Sequence, residues 1–511
     1  MGQASAVWID VEDLFHYVGH NARLSGIQRL TYELYAALEQ QSASGRQIGF
    51  VRIDPRTDEF VTVTWEQVHG LCHGLTTSHV KPDLEPTEAP HGRFFRKIAN
   101  RVQARLPGPA QEQFAHFCRL QVAALNSLCE LGRQSVRRRG RRQPQLPEYR
   151  MPPAVAGSPA SVQTAIVRPD GDGRLLHEVA RSGDWLLSLG ASWHRVDYGR
   201  LLHRTRIETG VKTGLLLYDL IPIRRPEWCH HTLVETFERW FEGVLPSVDA
   251  MFAISQATAD DAMRLLGQRG RGGFGPIRTI PVGTGFPASV AAVQDEVARV
   301  SARALPAPGS YVLIVSTIEA RKNHALMFQV WRKLARDLPP NEVPTLVFAG
   351  RIGWLVSDLM LQIANTNYVD GKLLVIEDPS DAVLMRLYEG CLFTVMPSFF
   401  EGWGLPVTES MAAGKPCVVS NVTSLPEAGA GLVRMFDPYD FNDAYRVIYE
   451  TVRDRDGLAL WEQEVRRSFR PVAWATSADV LLNGLDMHDS DRDEASLSRV
   501  GTVVPSLVTH G

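Results

Sequence analysis

Cysteine is scarce in this 511-residue chain. The six residues, Cys72, Cys118, Cys129, Cys229, Cys391 and Cys417, never form a Cys-x-x-Cys pair. That spacing gives no support to a thiolate zinc site or a dithiol redox couple, and it suits a reducing compartment. Long apolar runs are missing too, with none near the roughly 18 residues that a membrane-spanning helix needs. The stretch Met1–Asp10 lacks a basic start followed by an apolar core, so no secretory leader is expected. No charge sign dominates: the formal net charge is −3, which argues against a protein that coats nucleic acid. With 44% hydrophobic and 22% charged residues, wholesale disorder is excluded and two or three domains have material for cores.

What is present is a repeated alternation. In the second half, YVLIVST (Tyr311–Thr317), TLVFAG (Thr345–Gly350), KLLVIE (Lys372–Glu377), CLFTVMPS (Cys391–Ser398) and KPCVVSNV (Lys415–Val422) have the pattern of short buried strands. Amphipathic stretches separate them, such as Asn323–Leu338 with Met327, Val330, Trp331, Leu334 and Leu338 on one stripe. The first half repeats the rhythm with AVWID, IGFVRID, GDWLLSLG, VKTGLLLYDLIP, AMFAIS and IRTIPVG. Strands alternating with helices predict two doubly wound parallel α/β domains facing a cleft, with ligands beyond the carboxyl ends of the strands. The boundaries expected are 1–290, interrupted by an Arg/Pro-rich insertion at about 80–167, then 291–488, with a polar disordered tail at 489–511.

The most informative stretch is EGWGLPVTE, Glu401–Glu409, between an apolar strand and a helix. Pro406 suits the first helical position, and Gly414 with Pro416 ends the helix. Free backbone N–H groups near Trp403, Gly404 and Leu405 would then face an anion, with glycines allowing close approach. Glu401 and Glu409 would flank it and accept hydroxyls of a sugar or ribose. The plainer alternative makes Glu409 a first-turn acid answering the helix dipole and Glu401 a solvated loop residue. A second pattern tilts the balance. Arg321 and Lys322 follow strand YVLIVST and precede Asn323, an expected N-cap, so two cations sit at another helix N-terminus, as a diphosphate site requires.

Taken together, RKN before a helix, GRIGW, DAVLMRLYEGC and PSFFEGWGLPVTESMAAGKPCVVS resemble the donor domain of retaining GT-B glycosyltransferases of family four, the glycosyl transferases group 1. The two acids with seven residues between them are that family's most specific mark. SGIQRLTYELYAAL, LLLYDLIPIRRP and FAISQATADD are similar to its N-terminal domain, and GIQR with YDLIP and GW is most like bacterial polysaccharide mannosyltransferases. The resemblance implies a GT-B fold and transfer of a sugar, mannose from GDP-mannose, from a nucleotide diphosphate to a glycan or polyprenyl-diphosphate-linked acceptor with retained configuration. It implies that Glu401 meets the donor sugar and Glu409 the ribose. The turn Gly402, Trp403, Gly404 and Leu405 would hold the diphosphate with Arg321 and Lys322. Gly26 would be the close-approach glycine of the first domain, and Asp219 would lie near the reacting centre.

Three positions depart from the family pattern: Ser316-Thr317 replaces Gly-Arg, Tyr218 replaces His, and Ser25 replaces the first glycine of a pair. Arg351 is the candidate to supply the missing cation. The base pocket is expected near Glu377–Ser380. Cations and amides can stabilise a departing diphosphate electrostatically, so no metal or other cofactor is expected. The Asp170/Asp172 and Asp454/Asp456 pairs follow no clear strand. GRGGFG (Gly270–Gly275) follows a helix rather than a strand, which sets aside a dinucleotide motif. Cys229-His230-His231 suits a cleft wall better than a metal. Asp184-Trp185 and Ser192-Trp193-His194 fit an acceptor wall or core packing equally. A non-catalytic GT-B partner subunit and a sugar-nucleotide epimerase are the rival readings.

Within the insertion, the Arg-rich segment Arg93–Arg142 begins with the basic amphipathic RFFRKIANRVQARL and ends in RRRGRR at Arg137–Arg142. Docking on an anionic membrane surface and a solvated loop explain it equally; nucleic acid does not, because aromatic interleaving is absent. The expected location is cytoplasmic, including the inner face of the plasma membrane.

Overall fold

The computed structural model describes residues 5–19, 26–42, 45–77, 173–271, 275–284 and 305–500, with backbone only at 73–77 and 491–500. The insertion with its basic segment, and residues 501–511, lie outside the described residues.

Two sheets form, as the alternation requires. In the first, β1 (Val7–Asp10), β2 (Ile48–Asp54), β3 (Glu59–Val63), β4 (Trp185–Ser188), β5 (Lys212–Leu217), β6 (Ala250–Ala253) and β7 (Arg278–Thr279) lie in the order β3-β2-β1-β4-β5-β6-β7. Only β2 and β3 pair antiparallel, as a hairpin with Phe50 opposite Val63. The second sheet holds β8 (Tyr311–Val315), β9 (Thr345–Ala349), β10 (Leu373–Ile376), β11 (Thr394–Met396), β12 (Cys417–Ser420) and β13 (Arg434–Phe436). Its order is β10-β9-β8-β11-β12-β13, all parallel. Each first strand sits inside its sheet and has neighbours that leave in opposite directions. A crevice therefore opens at the carboxyl end of each, between β1 and β4 and between β8 and β11.

Burial follows strand period two. Val7 and Ile9 enter one core and Trp8 the core on the other face; Val312 and Ile314 separate in the same way from Tyr311 and Leu313. Both faces of each sheet are covered by helices, which is why these strands are nearly continuous apolar runs.

The chain end differs from expectation. A helix runs from Trp474 to Val500, so residues 489–500 continue a helix rather than start a disordered tail. Nor does it stay with the second domain. Ala478, Leu481, Leu482 and Leu485 complete the core of the first, packed against α2 (Gly26–Ser42). Polar groups fix its register: Gln41 Nε2 donates to Asp479 at 2.7 Å, and Lys212 Nζ lies 2.6 Å from Asp489. Gly283 admits it, since a Cβ there would lie 2.1 Å from the Trp474 ring. Sequence patterning missed the return because the apolar face is spent on a domain nearly 200 residues earlier. Among the described residues, no helix is long and apolar enough to cross a membrane.

Leu481→Ala should therefore destabilise the N-terminal domain by about 2–5 kcal/mol in urea unfolding, as a buried leucine deletion does. Leu460→Ala, at a position that is 67% exposed, should stay within about 0.5 kcal/mol. Equal effects would refute the packing of the returning helix.

Candidate active site

The two strands flanking the second crevice each lead into a loop that carries charge. After β8 the chain turns through Ala320–Lys322 and enters the helix His324–Asp337. Asn323 makes that turn with φ +56°. Its side chain does not cap the helix as expected; Nδ2 donates to the Pro438 carbonyl at 3.2 Å, anchoring the turn to the next loop. After β11 the loop Ser398–Gly404 enters the helix Leu405–Ala412, with Gly404 at φ +110° and Pro406 one place inside the first residue. Glu409 is thus the fifth residue of the helix, beyond the first turn, so a dipole-satisfying role does not account for it.

Because β8 and β11 are neighbours, the two loops meet. Lys322 Nζ lies 2.6 Å from Glu401 Oε1 and Arg321 Nη1 3.0 Å from Oε2. Arg321 also donates to Glu319 Oε1 at 2.7 Å and to the Phe400 carbonyl at 2.6 Å. All four side chains are largely withdrawn from water, and Glu319 and Glu401 are buried. Burial alone would raise the Glu401 carboxyl. The adjacent charges of Arg321 and Lys322 together outweigh it and hold the group down at about 2. Burial, with the charge of Arg321 beside it, pushes the Lys322 ammonium below its usual value. The backbone is pinned as well: Ser424 Oγ donates to the carbonyls of Glu401 and Trp403, at 3.0 and 2.8 Å.

The first domain closes over this cluster. Asp219, in the loop after β5, accepts from the Ile221 N–H at 2.9 Å, and burial raises its pKa. Gly402 presses against that loop; a Cβ there would stand 2.0 Å from the Tyr218 carbonyl oxygen. Gly26, the first residue of α2, faces Leu405, with 3.7 Å between its would-be Cβ and Cδ1. Glu409 accepts from the Tyr388 hydroxyl at 2.9 Å. A cavity of about 520 Å³ lies between the domains, and the residues that the family resemblance assigned to the sugar, the diphosphate, the ribose and the reacting centre line it: Gly26, Asp219, Arg321, Lys322, Glu401, Gly402, Trp403, Gly404, Leu405 and Glu409. The Trp403 indole N–H is buried and meets no acceptor among the described residues.

Other anticipated residues fall elsewhere. Arg351 pairs with Asp378 at 3.0 Å and is not in the cavity lining, while Thr317 is. Residues 377–380, the expected base pocket, do not line it either. Tyr218 lines the cavity but donates its hydroxyl to the Leu189 carbonyl at 2.6 Å. Asp184 is structural, accepting from the Ala6 and Arg181 N–H groups at 2.9 Å, and Trp185 is core. Trp193 and Cys229 do line the cavity, whereas His230 caps the helix His231–Val244. Asp454 caps the helix Arg455–Ser468; Asp170 and Asp172 lie outside the described residues. Among the described residues, no group of three or more His, Cys, Asp or Glu is placed to hold a metal.

Sequence reading missed the groups that join the domains. Arg29, one turn after Gly26 on α2, reaches Glu409 at 3.6 Å and Asp381 at 3.7 Å. Trp228 stacks on Phe399 with ring centres 5.3 Å apart, and the Trp354 indole donates to the Trp228 carbonyl at 2.8 Å. The spacing i, i+3 from Gly26 was the one local signal for Arg29; the aromatic contacts had none.

Two parallel α/β domains whose crevices face one cavity, with cations and a glycine-started helix at one wall, have the GT-B fold. Residues 301–462 match the family model described as Glycosyl transferases group 1. The serotype-specific mannosyltransferase WbdA of Escherichia coli is 25% identical over 284 residues, covering 54% of this chain and 34% of that protein. The O-antigen chain mannosyltransferase B of Escherichia coli is 28% identical over 258 residues, covering 49% of this chain and 62% of its own length. The chain thus spans between about a third and two thirds of these curated relatives. The N-terminal domain of Candida albicans trehalose-6-phosphate phosphatase has the same fold, with TM-score 0.53, 13% identity, and coverage of 96% and 98%.

The depressed Glu401 pKa has a signed consequence. A carboxyl lowered from 4.5 to about 2 contributes stability that is full above pH 4.5 and lost as pH falls toward 2. The difference in melting temperature between wild type and Glu401→Gln should therefore shrink across that window. A difference that stays constant from pH 6 to pH 3 would contradict the ion pairs.

Proposed function

We propose that this chain is a retaining glycosyltransferase that moves mannose from GDP-mannose to a hydroxyl of a glycan or a lipid-linked oligosaccharide in bacterial polysaccharide synthesis. The observation that carries the proposal is the buried contact of Lys322 and Arg321 with Glu401 beside the start of the Leu405 helix. Cations, unpaired helix-start amides and a fixed carboxylate converge there on one cavity. The chemistry they suit is departure of a nucleotide diphosphate. Negative charge grows on the leaving phosphate, where Lys322 and the N–H groups of Gly404 and Leu405 stabilise it without reorganising. Glu401, ionised and locked, accepts hydroxyls of the donor sugar. Glu409, oriented by Tyr388, accepts the ribose hydroxyls. Arg321 acts largely through its hold on Glu319, Glu401 and the Phe400 carbonyl. Asp219 brings a carboxyl from the opposite domain to the reacting side. The mannose assignment draws support from the names of the two Escherichia coli relatives.

The test has two stages. GDP, UDP and dTDP are compared by thermal shift, where GDP is expected to stabilise most; stabilisation by UDP alone would remove the mannose donor. GDP-mannose is then supplied with and without a mannose-terminated oligosaccharide. Extension of the oligosaccharide is expected. An altered nucleotide sugar without acceptor would indicate an epimerase, and no turnover of any nucleotide sugar a non-catalytic subunit.

The two acids should separate in function. Lys322→Ala should lower kcat by about 10²–10³, the usual cost of one preorganised charge-stabilising donor. Glu401→Gln should suppress transfer with nucleotide affinity largely kept, whereas Glu409→Gln should weaken nucleotide binding. Calorimetry beside steady-state kinetics checks this, and parallel losses in both variants would dismiss the division.

A further inference from the structure

Among the described residues, the cavity is lined by three cations, Arg29, Arg321 and Lys322. Two belong to the C-terminal domain and are already engaged. Lys322 is 2.6 Å from Glu401, and Arg321 is held by Glu401, Glu319 and the Phe400 carbonyl, all within 3.0 Å. The position where a second phosphate cation was expected holds Thr317, and Arg351 is spent on Asp378 away from the cavity. Arg29 is different in origin. It comes from the N-terminal domain, on the helix whose first residue, Gly26, faces Leu405 at the helix start that the phosphates would approach. Its side chain is 19% exposed, and its ion pairs with Glu409 and Asp381, at 3.6 and 3.7 Å, are longer than those of the other two.

Resting on the functional reading above, we infer that Arg29 is the site's second phosphate-binding cation, delivered across the cleft to the phosphate nearest the ribose. In the ligand-free arrangement Glu409 and Asp381 hold its guanidinium in place. When a nucleoside diphosphate enters, the ribose hydroxyls engage Glu409. A phosphate carrying full negative charge then takes the guanidinium, whose planar fork can donate twice to its oxygens. Since Arg29 and Glu409 sit on different domains, one ligand then spans both, and donor binding favours the closed cleft by its differential affinity for that state. The arginine in GIQR thereby does what the missing arginine after β8 would have done, from the other side.

Calorimetric titration of wild type, Arg29→Ala and Arg29→Lys tests this. Two probes are used: the nucleoside diphosphate among GDP, UDP and dTDP that wild type binds best, and its parent nucleoside. Folding of each variant is checked by thermal melting, and Arg29→Lys carries the comparison if Arg29→Ala does not fold. Arg29→Ala should bind the diphosphate at least about tenfold more weakly and Arg29→Lys show an intermediate loss, with nucleoside affinity changing less than about twofold in both. Wild-type diphosphate affinity in the variants would overturn the inference. So would equal losses for diphosphate and nucleoside, which would make Arg29 only a support for Glu409. Failure of wild type to bind any of the three diphosphates would instead sink the functional reading beneath it.

Discussion

The site depends on one buried carboxylate. Glu401 is removed from water and stays ionised because Arg321 and Lys322 reach its two oxygens. Taking such a group out of water costs several kcal/mol, which is recovered only with close, opposite charge in fixed geometry. That requirement dictates the surroundings. The two loops must leave adjacent strands, and β8 and β11 are adjacent, with Thr394 opposite Leu313. Arg321 must be steadied by Glu319 and a carbonyl, and the Glu401 backbone by Thr423 and Ser424. An ion cluster so constrained is poor at adding stability and good at holding a geometry.

The same loop makes the domains one machine. Gly402 touches the Tyr218 carbonyl because it has no side chain, and Thr258 Oγ1 bonds both the Tyr218 and Gly402 carbonyls, at 3.3 and 3.4 Å. Glu427, from the C-terminal domain, accepts from the first N–H groups of the helix Gln256–Gln268 of the other domain at 3.0 and 3.4 Å, satisfying donors that a helix start leaves open. The Trp228–Phe399 stack and the returning Trp474 helix add two further ties. The interdomain surface is therefore mixed, with polar caps and aromatic contacts around a cavity.

Much of this was written locally. Period-two apolar runs between 3.6-period stripes determined two parallel sheets with helices on both faces, because those patterns have few other ways to bury themselves. Glu401, Gly404 and Glu409 around a strand-to-helix turn, and Arg321-Lys322 before another, determined the charges and helix-start amides of one cavity wall, since a helix start and its neighbours lie within a few residues of chain. Tertiary structure alone decided what depends on distance between elements. It placed the Trp474 helix on the wrong half of the chain for any local pattern to announce. It turned Asn323 away from its helix to Pro438, sent Arg351 to Asp378, and brought Arg29 within reach of Glu409, 380 positions later. Sequence periodicity specifies which face of an element is apolar; it carries no information about which distant charge will stand opposite once two sheets close around a cavity.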